Sequence, residues 1–400
     1  MVWQKLILLV VVTFLFTLSA SCTKKKPTEP EESSKGEVEW EKTFGGNSDD
    51  IGYSVQQTAD GGFIIVGSTK SFGAGHNDIY FIKTSASGDA MWTKMYGDID
   101  NDYGYSVYQT LDGGYIISGA TLSFGAGGSD IYLLKTDSNG DTIWTKMFGG
   151  DYVDIGYAVE QTSDGGYIIS GVSWNAFGSC DAYLLKTDET GDSLWANTYG
   201  GEGYDYFFSV QETSDGGYIA TGYTTLNGMD TSQDIYLVKT DENGNEMWTR
   251  RYGGNRVESG SSVQVTLEGG YIISGYTETF GPGYYDVYII KTDINGDSLW
   301  TKAYGCTGED YGNSVHQTLN GGYIVGGSTK PFNSGYDEVD IYVLLLDTKG
   351  DTLWTKTYGG AKREKAYSVQ QTSDRGYVIA GYTQSYGGGG SDVYLIKIKP

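Results

Sequence analysis

The chain has 400 residues and a formal net charge of −24. A surface this acidic is repelled by nucleic acid and by anionic headgroups, which argues against both as partners and leaves cations, neutral glycans and basic proteins. Two histidines and three cysteines are too few for a His-based hydrolytic triad, a zinc centre or a disulfide framework.

Residues 1–22 have the pattern of an export signal. Lys5 is their one charge, Leu6 to Leu18 is apolar, and Ser19-Ala20-Ser21 offers a small-residue cleavage site just before Cys22. The apolar stretch is too short to favour a transmembrane helix. A cysteine directly after the cleavage site resembles the lipobox of bacterial lipoproteins, although the leucine stands at Leu18 and Ser19 occupies the position three before the cysteine. That resemblance implies lipidation of Cys22 and a lipoprotein held in the cell envelope, periplasmic or surface-exposed, through its lipid alone. Residues 23–37 are polar and charged with two prolines, and read as a tether.

From residue 38 to residue 400 the chain repeats. Trp40, Trp92, Trp144, Trp195, Trp248, Trp300 and Trp354 recur at intervals of 51 to 54 residues, a period that marks an array of supersecondary units. The third copy shows the unit: Tyr157 to Thr162, the turn Asp164-Gly165-Gly166, Tyr167 to Gly171, a loop, Asp181 to Thr187, the turn Asp188 to Asp192, and Ser193 to Tyr199. Runs of aromatic and β-branched residues bounded by Gly, Asp and Asn are short strands joined by hairpin turns. No stretch carries a sustained helical period. Only the Trp strand, Glu37 to Phe44, precedes the first complete unit, and three strands ending at Asp392 to Ile398 follow the last. One and three make a blade. The expectation is an all-β, seven-bladed propeller of four-stranded antiparallel blades, closed by the N-terminal strand. Each tryptophan should fill the wedge between blades.

With strands A to D counted outward from the centre, the D–A and B–C loops share one face. Two acidic rings fall there. Asp50, Asp102, Asp154, Asp205, Glu258, Asp310 and Glu364 precede strand A, and Asp78, Asp130, Asp181, Asp234, Asp286, Asp340 and Asp392 begin strand C. Loop capping is the ordinary role of such acids. The first ring is also the candidate metal site, with Ca2+ as the cation it would take, although nothing in the pattern requires a cofactor. The B–C loops carry Phe72, Phe124, Phe177, Phe280, Phe332 and Tyr386, and Trp174 is an extra aromatic outside the repeat. These are the candidate ligand-binding residues, Trp174 foremost among them for exposure. The turns Asp137 to Asp141 and Asp293 to Asp297 lack the length and terminal Glu of an EF-hand and read as hairpin turns. His76 and His316 fall in different blades. Cys180 and Cys306 also do, at positions that vary between copies, so neither is expected in a bridge.

The repeat, DGGYIISG followed by DIYLLKTDSNGDTIWTKMFGG, resembles the β-propeller repeats of bacterial exported and surface proteins. Leu134 to Trp144 also resembles the tryptophan-docking repeat of quinoprotein propellers, with an Asp-to-Trp spacing one residue shorter and Asp141 where a Lys is usual. No quinone cofactor is implied, because fold alone does not carry function. The expected function is a non-catalytic module, exported and lipid-anchored, that binds a protein or glycan through the loop face. The alternatives are a glycan hydrolase or lyase using the acidic rim and a structural envelope protein. Any site is expected where the repeat is irregular: Trp174, Asn227 to Gln233, or Asn333 to Val339.

Overall fold

The computed structural model describes residues 35–225, 232–331, 335 and 338–400; Cys22, Phe332 and part of the two long loops lie outside the described residues. Within it, twenty-eight strands, numbered in chain order, form seven four-stranded sheets and no helix. In the first blade β2 (Asp50–Gln57), β3 (Phe63–Thr69), β4 (Asp78–Thr84) and β5 (Ala90–Tyr96) pair in sequence order. The last blade joins β26 (Glu364–Gln371), β27 (Tyr377–Thr383) and β28 (Asp392–Ile398) to β1 (Val38–Phe44). β1 runs antiparallel to β28, with Trp40 opposite Lys397 and Phe44 opposite Val393. The ring is therefore a seven-bladed β-propeller closed as the strand count predicts, and β28 has no open edge.

Burial follows position in the blade. β3 and β4 are buried on both faces because neighbouring blades cover them, whereas β5 alternates between exposed and half-buried at the rim. The tryptophans close the gaps between blades. Trp40 meets Phe63 of the next blade edge-on at 5.7 Å, and Trp144 meets Tyr167 at 6.0 Å. Gly140, at φ +76°, leaves room for Trp92, whose ring would stand 2.9 Å from an added Cβ.

The turn face is laced by buried lysines. Lys135, on strand C of the second blade, is almost wholly buried, yet its ammonium meets Asp112 at 2.9 Å and the carbonyl of Thr136 at 3.1 Å. Lys83 meets Asp60 in the same way. Their carboxyls are held down to about 2 against their own burial, by hydrogen bonds from Thr58 or Thr110 and from the lysine. In the sixth copy Leu345 replaces this lysine and Asn320 the aspartate, so charge and countercharge are absent together, as burial of a lone lysine would demand.

Candidate functional site at the loop face and channel

Every innermost strand carries a β-bulge at the equivalent place, after a Gly or Ala in six blades and after Phe207 in blade four, for example between Gly52 and Ser54 in β2. The cause lies opposite: a Cβ on Gly67 would stand 1.7 Å from the Ile51 carbonyl oxygen, so the backbones approach too closely for any larger residue. A bulge re-aims the extra side chain. Here the bulged residues are Tyr53, Tyr105, Tyr157, Phe208, Ser261, Asn313 and Tyr367. Five of them form a continuous aromatic belt around the channel, with centroids at 5.2 Å for Tyr367–Tyr53, 5.3 Å for Tyr53–Tyr105, 5.4 Å for Tyr105–Tyr157 and 5.1 Å for Tyr157–Phe208. Ser261 and Asn313 interrupt it at blades five and six. Beside that gap sits a second aromatic cluster, in which Tyr276 lies 5.1 Å from Tyr311 and 5.2 Å from Tyr285.

Further along the channel two rings of side chains bind the blades together. Ser106 Oγ accepts the N–H of Val159 at 3.2 Å, and Gln56 Oε1 accepts that of Gln109 at 2.6 Å. Gln211 and Gln370 do the same for the following blades. In blade three the glutamine is replaced by Glu160, whose Oε2 accepts the N–H of Glu212 at 3.2 Å. Burial, with repulsion from Glu212, pushes the Glu160 carboxyl up to about 7. His316 stands at the equivalent place in blade six; its Nδ1 is buried without a hydrogen bond, and burial lowers its pKa. Glu160 and His316 line the same chamber from blades three and six.

The first acidic ring is buried rather than displayed, as are Asp78, Asp130, Asp286 and Asp392 of the second, whereas Asp181, Asp234 and Asp340 are half-buried. Asp50 accepts the N–H of Gly46 at 2.8 Å and the Ser71 hydroxyl at 2.6 Å through Oδ2. Asp102, Asp154, Asp205 and Asp310 accept turn N–H groups in the same place. Glu258 and Glu364, one methylene longer, also reach Thr277 and Thr383. The structure joins each ring to the other, not to itself. A Cβ on Gly45 would meet Asp392 Oδ1 at 2.1 Å and Asp50 Oδ2 at 2.7 Å, and one on Gly305 would meet Asp286 at 2.4 Å and Asp310 at 2.5 Å. Burial first, and the facing Asp310 second, push Asp286 up to about 6. Among the described residues no three His, Cys, Asp or Glu side chains converge as metal ligands. The loop-capping role is thus the one the geometry displays. Asp137, likewise, accepts the N–H of Asn139 and of Asp141 at 2.8 Å inside its own turn.

The loop aromatics divide. Phe72, Phe124, Phe280 and Tyr386 lean on the strand-C tyrosine of their own blades, at 5.7, 5.8, 5.4 and 5.7 Å from Tyr80, Tyr132, Tyr288 and Tyr394. They are packed on one side and partly open on the other. Trp174 is half-buried, not the exposed ring expected: it ends β11 (Tyr167–Trp174), pairs with Cys180, and rests 6.0 Å from Tyr204. By lengthening that strand it pushes a tight turn outward, in which the Asn175 N–H donates to the Ser179 carbonyl. The turn carries Phe177 at its tip, 96% exposed. Cys180 is a buried free thiol whose pKa burial pushes up to about 11, which makes it inert. The sequence reading also missed the exposed leucines on the opposite face, Leu111, Leu267 and Leu319, at the tips of A–B turns.

No family model matches the chain. Over 254 residues, 56% of this chain, it is 24% identical to the regulatory protein FlaEY of Caulobacter vibrioides, and it spans 26% of the length of that relative. Among solved structures it is similar to Sqt1 from Chaetomium thermophilum, with a TM-score of 0.50 and 11% identity over 92% of this chain and 99% of that one. It is similar also to a fungal alcohol oxidase of the AA5 family in complex with copper, with a TM-score of 0.54 and 12% identity over 91% and 76%. A puromycin hydrolase matches with a TM-score of 0.50 and 13% identity over 84% of this chain and 50% of that one. At such identities what is shared with these structures is the β-propeller fold.

Proposed function

We propose that the chain is an exported, lipid-anchored propeller that binds a protein or glycan through its loop face without catalysing a reaction. One observation carries the reading: where seven-fold regularity fails on that face, the departures include exposed or clustered aromatics, Phe177 lifted clear of its blade and the group around Tyr276. The acids that a glycan hydrolase or lyase would draw on are buried and engaged by turn N–H groups. Aromatic side chains that are open to solvent and rigidly mounted supply contact area at low entropic cost. The export-type segment 1–22, Cys22 and the polar stretch 23–37 support an anchored position outside the cytoplasm.

The test is a glycan and envelope-protein binding screen on the purified chain, repeated with Phe177→Ala. A ligand whose affinity falls about tenfold or more in the variant, without turnover, supports the reading. Product release from a bound glycan would sink the non-catalytic part. The mass of the N-terminal peptide decides the anchor: a diacylglyceryl thioether on Cys22 supports it, and a Cys22 that is unmodified or paired with Cys306 overturns it.

A further inference from the structure

One loop-face cavity has three cations among its lining residues. It lies between blades six and seven, where Glu309, Tyr311, Ser328, Lys330, Arg363 and Lys365 meet. Strand register explains the convergence. Glu309 and Tyr311 are two residues apart on β22 (Glu309–Gln317) and share a side, and Lys330 and Ser328 stand opposite them on β23 (Tyr323–Lys330). Arg363 immediately precedes β26, and Lys365 follows two residues later on the same side. Among the described residues that line it, three cations and one carboxylate meet, Glu309 lying 3.8 Å from the Lys330 ammonium. At the positions of Arg363 and Lys365 the other six copies carry no cation; blade three has Val153 and Ile155.

The cavity adjoins an aromatic surface. The Lys365 ammonium stands over the Tyr311 ring at 5.9 Å. Tyr311 lies 5.4 Å from Tyr285, which meets Tyr284 at 4.7 Å, and Tyr284 is 55% exposed. Burial, and Arg363 beside it, lower the pKa of Lys365, as expected of clustered cations partly withdrawn from water. A guanidinium and an ammonium beside an open tyrosine run suit a ligand that carries a carboxylate on a ring with an apolar face. A pyranose stacks its C–H face on tyrosine, and a carboxylate takes charge-assisted hydrogen bonds from Arg and Lys.

We propose that this cavity binds a uronic-acid residue of an acidic saccharide, with the carboxylate at Arg363 and Lys365 and the sugar toward Tyr311 and Tyr284. This rests on the reading of the loop face as a binding surface and names its ligand class. The net charge of −24 still disfavours dense polyanions at long range, so the local cations confer selectivity for a ligand with spaced carboxylates.

The experiment is calorimetric titration of the whole chain with trigalacturonate and with its methyl ester, at about 0.15 M salt, where exposed long-range charge is largely screened. Variants are Lys365→Ile and Arg363→Val, which place here the residues blade three already carries, with Lys70→Ala on blade one as control. The expected result is binding of the acid, at least about tenfold weaker for the ester and for both cavity variants, and unchanged in the control. Equal binding of acid and ester would overturn the inference and leave the glycan-binding reading standing. Capture of an oligoglutamate peptide in its place, lost with Lys365→Ile, would overturn the saccharide class. If neither saccharide nor peptide binds the native chain, the inference falls, and the Phe177→Ala screen judges the broader reading separately.

Discussion

At the scale of single residues, the repeat supplies its own controls. Glu160 occupies a position where Gln56, Gln211, Gln264 and Gln370 stand in other blades, each able to accept the next blade's N–H without charge. Its carboxyl is pushed up to about 7 in the fold, above its ordinary value, so the native state holds the proton more tightly than the unfolded chain. Stability from this group is therefore complete below about pH 4.5 and is lost as pH rises through about 7. Glu160→Gln keeps the acceptor and removes the titration. Denaturant unfolding should show variant and native chain nearly equal at pH 4.5, with the variant more stable by on the order of 3 kcal/mol at pH 8. Parallel curves across that range would contradict the burial assigned to Glu160. The identity of this residue was visible in the sequence. Its protonation behaviour was not, because that depends on the channel formed when seven blades meet.

At the scale of the element, each blade is a four-stranded meander in chain order except the last, where the chain must close on itself. β1 completes the last sheet, pairing with β28 from Val38–Ile398 to Phe44–Val393. Removing residues 35–44 should leave β28 as an open edge with Tyr377 and Ile396 losing part of their cover, and the product should aggregate on size-exclusion chromatography. Moving the same segment to follow Pro400 through a short linker should restore a monodisperse, β-rich protein, since the pairing is antiparallel and tertiary. If the truncated chain were as soluble and stable as the native one, closure would not be a source of stability. Strand positions, turns and this closure were legible because period-two patterning and Asp-Gly-Gly turns are local signals. The bulge that aims Tyr53 into the channel was not legible. It is set by the close approach of Gly67 to the carbonyl of Ile51 on the neighbouring strand.

At the scale of the whole molecule, the acidic rings lead to a clear expectation about cations. Fourteen acids reach the loop face, yet each of the first ring holds a backbone N–H with one oxygen, and among the described residues no three acids converge as ligands. Addition of about 5 mM CaCl2 or EDTA should therefore leave the thermal midpoint within about one degree of its starting value. A calcium-dependent rise of several degrees would assign the rings a binding role after all, by linkage between site occupancy and folding. The candidate sites follow the same division. Phe177 was among the sequence candidates, but Trp174 was ranked above it. Only the lengthened hairpin shows that Trp174 packs on Tyr204 while Phe177 is lifted clear. Arg363 and Lys365 were written in the seventh copy as a departure from the repeat, and aligning the copies for charge would have flagged them.

The sequence by itself determined the number of blades, the order of strands, the wedge role of the tryptophans and the face on which loops gather. Each of these rests on spacing along one chain, and the repeat states it seven times. Only the tertiary structure decided which acids were buried, which aromatic was open, where the belt around the channel breaks and that Lys330, Arg363 and Lys365 meet beside Tyr311. Those properties belong to junctions between blades. The residues that meet there are up to 56 positions apart even in adjacent repeats, and no local pattern records how closely two sheets will pack.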